Sequence, residues 1–460
     1  MSQFAFNTLD LPDELLGNLE SLGYTAMTPV QALSLPAIIA GSDVIAEGKT
    51  GSGKTAAFGL GILCRLEPKR FCTQALVLCP TRELADQVAD EIRRLARAIP
   101  NIKVATLCGG TPLGPQVGSL ERGVHIVVGT PGRVEDHLQR NTLELKGVRT
   151  FVLDEADRML EMGFQESVDN IIERVPADRQ TLLLSATYPD EIQSIARRIM
   201  DIPVMVKLDE AHDDCSIHQR FFKVDDHAAR QSALRLLLLQ HQPESTLIFC
   251  NTRVDVRDVV QFLKDHGFSA LALHGELDQR DRDQTLIRFS NKSACVLVAT
   301  DVAARGLDID SLDVVVNYQL ARDAETHVHR VGRTGRAGES GEAWSFHDAK
   351  DDYRMAVLKD TLGRNLVDES LPADRVLRAL PLQPVMVTLQ IDGGKKQKLR
   401  PGDIVGALTG SGGINGAQIG RIKVFATKAY VAVGRKSLKM AMKKLTQGKM
   451  KGRSFRVRVI

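Results

Sequence analysis

TFVLDEAD, residues 150–157, sets three carboxylates within four residues directly behind an apolar run. Residues 151–153 read as the end of a fully buried strand, so Asp154, Glu155 and Asp157 emerge together at its carboxyl edge. In an open α/β sheet that edge is where ligands bind. Carboxylates crowded there repel one another unless a cation or basic partners balance them, which favours a metal–nucleotide site. A lone acidic cluster is more often a solvated turn. What overturns that plainer reading lies upstream.

Residues 48–55, GKTGSGKT, match the phosphate-loop pattern in full, after a predicted strand and before a predicted helix. Glycines let backbone N–H groups converge on phosphates, and the helix amino terminus adds its positive end. Thr50, Gly51, Ser52 and Gly53 would cradle the nucleotide, Lys54 would reach the β- and γ-phosphates, and Thr55 would turn its hydroxyl to Mg²⁺. Asp154 then becomes the Mg²⁺ carboxylate, binding the ion directly or through its bound water, and Glu155 the candidate that orients and deprotonates the attacking water. For Asp157 a structural role is at least as well supported as a chemical one.

Outward from these motifs one phrase repeats: a short apolar run, a polar loop, a helical pattern. The runs fall at 44–46, 75–79, 104–107, 125–128, 151–153 and 181–184, and again at 246–250, 270–273, 296–299, 314–318 and 343–346. Strands alternating with helices predict parallel sheets covered on both faces. A polar linker near residue 210 separates two such domains, expected at 1–206 and 218–365, with the ligand in the cleft between them. A proline-bearing stretch follows, and then a β-α-β-β-α-β order over 385–460, the ferredoxin-like arrangement of RNA-recognition modules.

Charge divides along the same line. Residues 385–460 hold 17 basic and 2 acidic residues, whereas the rest of the chain holds 43 and 55, so a basic module rides on an acidic body. A polyanion is its expected partner. Seven scattered cysteines without a C-x-x-C pair suit a reducing compartment, by default the cytoplasm. Neither a signal peptide nor a membrane-length apolar stretch is visible, so no membrane partner is expected.

With its companions, D-E-A-D at 154–157 resembles the DEAD-box family of ATP-dependent RNA helicases over roughly residues 4 to 350. The resemblance implies two tandem RecA-like parallel-sheet domains followed by the RRM-like α+β domain, with ATP and Mg²⁺ as cofactors. It implies that Gln31 in TPVQ (28–31) reads adenine with Phe6 upstream, and a Gln amide has the donors and acceptor for that. Arg82, Gly110, Thr130 and Arg133 correspond to RNA-facing motifs of the first domain, and Ser185 and Thr187 to the motif coupling hydrolysis to strand separation. In the second domain Arg253, Gly275 and Thr300 correspond to RNA contacts, as do Asn251, Gln279, Arg282 and Asp301. Asp308 matches the ribose contact, and Arg333 and Arg336 match fingers for the γ-phosphate. Met27 and Gly48 depart from the family pattern, where proline and alanine are usual; neither change removes a group that contacts ATP.

The whole chain, including IDGGKK at 391–396 and the ending FRVRVI at 455–460, closely resembles the bacterial DbpA subgroup of that family, which implies an enzyme tethered by its tail to a hairpin of 23S rRNA during large (50S) subunit assembly; a monomer is expected. The tail lacks the aromatic-rich stacking pattern and offers Tyr430 alone on its third strand, so stacking on the sheet face is not expected. Lys395, Lys396, Lys398, Arg400, Arg435 and Lys436 are the better RNA candidates, through phosphates and groove edges. Local unwinding without processive translocation is the leading reading. An ATP-gated RNA clamp or annealing chaperone is the alternative.

Overall fold

The computed structural model describes residues 4–48, 51–207, 217–304, 312–335, 340–363 and 365–460. These fall into two compact units, one built on the first seven strands and the other on the remaining ten.

The strands of the first unit are β1 (Val44–Glu47), β2 (Ala75–Leu78), β3 (Val104–Leu107), β4 (Ile126–Gly129), β5 (Thr150–Asp154), β6 (Gln180–Ser185) and β7 (Val204–Lys207). All pair in parallel, in the order β3-β4-β2-β5-β6-β1-β7. Alternate side chains feed separate cores on the two faces: Val77 and Val152 on one, Leu76, Leu78, Phe151 and Leu153 on the other. Burial on both faces is why these strands read as unbroken apolar runs. Each large side chain buried this way contributes about 1.5–3 kcal/mol. The order sets β6 between β1 and β5, so the loops after β1, β6 and β5 stand side by side at one sheet edge.

The second unit repeats the plan with β8 (Ile217–Lys223), β9 (Thr246–Cys250), β10 (Ala270–Leu273), β11 (Val296–Thr300), β12 (Val314–Asn317) and β13 (Gly341–His347), in the order β10-β11-β9-β12-β13-β8. Side-chain caps start its helices: Thr252, Asp278 and Asp323 accept from the backbone N–H three residues on. β7 and β8 were not among the apolar runs read from the sequence. Both are edge strands, and partial exposure breaks their apolar pattern.

The tail forms an antiparallel sheet of β14 (Met386–Ile391), β15 (Ile419–Val424), β16 (Ala429–Gly434) and β17 (Val457–Val459), in the order β15-β16-β14-β17. One face packs on the helices Pro401–Thr409 and Leu438–Gln447 through Leu389, Ile391, Ile404, Leu408, Val431 and Leu445. The other face carries Thr388, Gln390 and Tyr430, all buried. It lies on the helix Gln279–Ser290 and the turn after it: Gln284 donates to Gln390 (2.9 Å), Asn291 donates to Thr388 (3.1 Å), and Ser293 and Thr388 share a 2.6 Å bond. The sheet face on which such modules stack bases is therefore covered by the same unit. No helix among the described residues is long and apolar enough to cross a membrane.

Candidate functional site

A cavity of about 390 Å³ opens at the carboxyl edge of the first sheet, lined by Tyr24, Thr28, Gln31, Gly51, Gly53, Lys54, Thr55, Ala56, Leu84, Glu91, Asp154 and Glu155. Gly51 and Gly53 have φ of +86° and +97°, a region open to glycine at no steric cost. A Cβ at Gly53 would also come within 2.6 Å of the Gln31 amide. Thr28 and Gln31 form a capping box on the helix Pro29–Ala40. The same two side chains hold the phosphate loop, Thr28 Oγ1 donating to the Ser52 carbonyl (2.8 Å) and Gln31 Nε2 to that of Gly53 (3.1 Å). Gln31 Oε1 accepts from the Thr28 N–H (2.9 Å). One amide hydrogen and one lone pair of Gln31 remain for a ligand. Phe6 is buried and packs edge-on against Tyr24, 6.1 Å between centroids, so Tyr24 is the aromatic on the cavity wall.

Lys54, 8% exposed, donates to the Gly48 carbonyl. Burial depresses its pKa, and the charges of Asp154, Glu155 and Asp157 oppose that. Asp154 closes β5, and burial, reinforced by the Glu155 charge, lifts its pKa to about 7. A buried carboxylate beside a second one is a site that gains from a hard cation. The Thr55 hydroxyl and the Asp154 carboxylate are oxygen donors of the kind Mg²⁺ takes, so the residues present suit that ion. Ser52 adds a buried hydroxyl with no partner among the described residues.

Glu155 sits in the left-handed region (φ +51°, ψ +54°) as N-cap of the short helix Ala156–Glu161. For a residue with a Cβ this is a strained conformation, costing about 1–2 kcal/mol. Asp157 turns away from the cavity. Its Oδ2 accepts from the backbone N–H groups of Ala186 and Thr187 (3.1 Å each) and from Thr187 Oγ1 (3.2 Å). Ser185 Oγ accepts from the Asp157 N–H (3.4 Å), while the Ser185 carbonyl accepts from the Gly48 N–H (3.0 Å). The loop after β6 thus touches both the phosphate loop and the acidic turn.

Two further loops of this unit meet beside each other. Arg82 lies over Gly110, where an added Cβ would come within 2.2 Å of its guanidinium. Arg133, three residues after Thr130, donates to the Thr111 carbonyl (3.1 Å). Sequence reading missed what holds them. Fully buried His137 bonds Thr142 (2.7 Å) and Gln116 (3.0 Å), and Gln116 donates to the Cys108 carbonyl (3.0 Å) and to Thr111 Oγ1 (2.5 Å). These are side-chain bonds across elements, and no spacing in the sequence signals them. Tyr24 and Glu91 were missed for the same reason.

In the second unit, Arg330, 2% exposed, donates to both Asp301 oxygens (2.6 and 2.7 Å), to Asn251 (2.8 Å), to Asn317 (3.2 Å) and to the Gln319 carbonyl (2.9 Å). The Asn251 and Asp301 side chains, expected as RNA contacts, are thereby engaged in fixing the loops that carry Arg253 and Thr300. Arg253 is exposed and pairs with Glu276 (2.7 Å), next to exposed Gly275. Arg333 is half-buried. Thr50, Asp308 and Arg336 lie outside the described residues. In the tail, Lys395, Lys396, Lys398, Arg400, Arg435 and Lys436 are all exposed.

Tandem parallel sheets, a phosphate loop facing a D-E-A-D turn, and a basic appended module define an ATP-driven helicase of the DEAD/DEAH box class, and the chain belongs to that family. Residues 28–195 match the DEAD/DEAH box helicase domain, 229–338 the helicase conserved C-terminal domain, and 388–459 the DbpA RNA binding domain. The particular resemblance is to the ATP-dependent RNA helicase DbpA of Escherichia coli, 53% identical over 457 residues and 99% of each chain. The DEAD-box ATP-dependent RNA helicase CshA of Geobacillus kaustophilus is 41% identical over 362 residues, 78% of this chain and 77% of that one. Among solved structures, S. cerevisiae Dbp5 bound to RNA and ADP BeF3 superposes with a TM-score of 0.72 at 30% identity, covering 80% of this chain and 95% of that one. The chain is an RNA-stimulated ATPase with an RNA-binding tail.

Proposed function

We propose that this helicase opens short RNA duplexes locally and without processive translocation, held by its tail on 23S rRNA while the large ribosomal subunit assembles. On this reading it works as a cytoplasmic monomer of three domains, 1–206, 218–365 and 385–460. The observation that carries the proposal is the Asp157 carboxylate, which ties the acidic turn of the nucleotide cavity to residues 186–187. A change at the γ-phosphate is thereby passed to the loop after β6. In support, the Dbp5 structure holds RNA together with ADP BeF3, and the E. coli relative is named an ATP-dependent RNA helicase.

The residues take these roles. Thr50 to Lys54 cradle the β- and γ-phosphates, the free donor and acceptor of Gln31 meet adenine against Tyr24, with Phe6 packed behind that ring, and Asp308 meets the ribose. Thr55 and Asp154 would hold Mg²⁺, which when bound offsets charge on the phosphates. Glu155 orients the attacking water and accepts its proton. Arg333 and Arg336 are supplied to the γ-phosphate in the closed enzyme, a contribution of about 10³–10⁵ in rate in related phosphoryl transfers. Arg82, Gly110, Thr130, Arg133, Arg253, Gly275 and Thr300 hold the strand through its backbone, so its sequence matters little there. Ser185 and Thr187 couple the two events. With its sheet face covered, the tail recognises RNA through the exposed Lys395–Arg400 and Arg435–Lys436 edges.

The test compares wild type with Glu155→Gln. RNA-stimulated ATP hydrolysis should fall about 10²–10⁴-fold, with nucleotide binding kept and ATP-driven separation of a short duplex lost. Intact hydrolysis in the variant would remove Glu155 from its role. Hydrolysis without duplex separation in the wild type would favour the clamp.

A further inference from the structure

A second cavity, of about 500 Å³, lies at the carboxyl edge of the second unit's sheet, lined by Arg230, Asn251, Gln319, Lys350, Tyr353 and Arg354 together with two aspartates. The sheet order places it. The loops expected to hold RNA follow β10, β11 and β9 in a row, and this cavity continues the row over the ends of β9, β12 and β13. From β9 to β13 is two strand spacings, about 10 Å.

Its chemistry is that of a nucleotide subsite. Both aspartates are already engaged: Asp348 by Arg230 Nη2 (3.2 Å) and the Lys350 N–H (2.8 Å), Asp351 by Arg354 (2.9 Å). Arg230 is 8% exposed, and its Nε has no partner among the described residues. A buried guanidinium N–H without an acceptor is a standing demand for one. Lys350 is exposed and has no ion-pair partner among the described residues. Three cations against two carboxylates leave the cavity net positive. On its rim Tyr353 is 80% exposed, far more than an aromatic ring ordinarily keeps in water.

We propose that this cavity takes one further nucleotide of the bound RNA strand, its base stacked on Tyr353 and its phosphate held by Arg230 and Lys350. The inference rests on the RNA path proposed above and extends it past Asn251. Stacking on an aromatic is indifferent to base identity, so the subsite lengthens the footprint without adding sequence preference.

The experiment uses the full chain with a non-hydrolysable ATP analogue and single strands in which 2-aminopurine is moved one position at a time. One position should be quenched in wild type, bright in Tyr353→Ala and quenched again in Tyr353→Phe. Lys350→Ala should weaken binding of strands that reach this position about tenfold, with the salt slope lower by about 0.7, and leave shorter strands unaffected. A quenching profile unchanged in Tyr353→Ala would overturn the proposal. So would displacement of that one base by free AMP while the strand stays bound, since the cavity would then be a mononucleotide site. ATP hydrolysis stimulated by the short strand is the separate control: its absence would sink the RNA path itself, whereas its presence with an unchanged profile would sink this subsite alone.

Discussion

Replacing Asp157 by alanine should unfasten the acidic turn from the loop after β6 while leaving the nucleotide cavity lined as before. The carboxylate is 4% exposed and accepts three hydrogen bonds on Oδ2 from residues 186 and 187, besides one on Oδ1 from the Arg158 N–H. A hydrogen bond to a charged group contributes about 1.5–3 kcal/mol, but bonds sharing one atom do not add, and water can enter the space left behind. The expected loss for the first unit is therefore about 3–5 kcal/mol. Asp157→Asn, which keeps one oxygen and loses the charge, should cost about 1–2 kcal/mol. The chain offers its own control. Its single tryptophan, Trp344, is fully buried in β13 of the second unit. Urea unfolding followed by far-UV circular dichroism should show a transition moved down by about 1.5–2.5 M at an m-value near 2 kcal/mol/M. The tryptophan transition should stay in place. A shift below about 0.3 M, or an equal shift in both signals, would refute the reasoning. In the proposed mechanism the alanine variant should also lose duplex separation more than ATP hydrolysis.

Other outcomes follow from the same geometry. With Asp154 lifted to about 7 from an ordinary 3.8, the folded protein holds a proton that the unfolded chain releases near pH 4. The associated stability is full below that pH and lost as pH rises through about 7. Thermal melts of metal-free protein should show the first unit weakening from pH 5 to 8, a slope that Asp154→Asn flattens and Mg²⁺ opposes. His137→Ala removes the bond that steadies Gln116 and both strand-facing loops, so fluorescence anisotropy should show RNA affinity down about five- to tenfold with ATP-analogue affinity unchanged. Deleting residues 385–460 should abolish preference for one rRNA fragment and leave a weak, general RNA-stimulated ATPase; undiminished preference in the truncated chain would end the tether proposal.

The parallel sheets were legible because strands buried on both faces leave continuous apolar runs, and the turns after β1 and β5 were legible together because a full phosphate-loop pattern upstream gives the acidic cluster a use that the cluster alone does not specify. β7 and β8 were not, since these edge strands carry exposed residues that break the pattern, whereas the edge strands β3 and β10 carry none. Position in the sequence also says nothing about what a polar side chain is already bonded to. Asp157 and Thr187 are 30 residues apart, and Asn251 and Arg330 are 79 apart; their bonds exist only once the strands are ordered. The left-handed backbone at Glu155 was hidden for a related reason, because a glutamate there is held by its surroundings and not by its own preference. Tyr430 was visible as a lone aromatic, but that it lies under the helix Gln279–Ser290 required the packed unit.

The seam between the tail sheet and that helix is made largely of threonine, glutamine, asparagine and serine. Such a surface is wetted readily when opened, so a catalytic core shorn of its tail would remain soluble where a greasy seam would drive it to aggregate. The same chemistry makes the tail exchangeable over evolutionary time. A different RNA-binding module could be grafted onto one ATPase by reproducing a few polar side chains, and engineers seeking to redirect this helicase to another transcript have the same handful of positions to transplant.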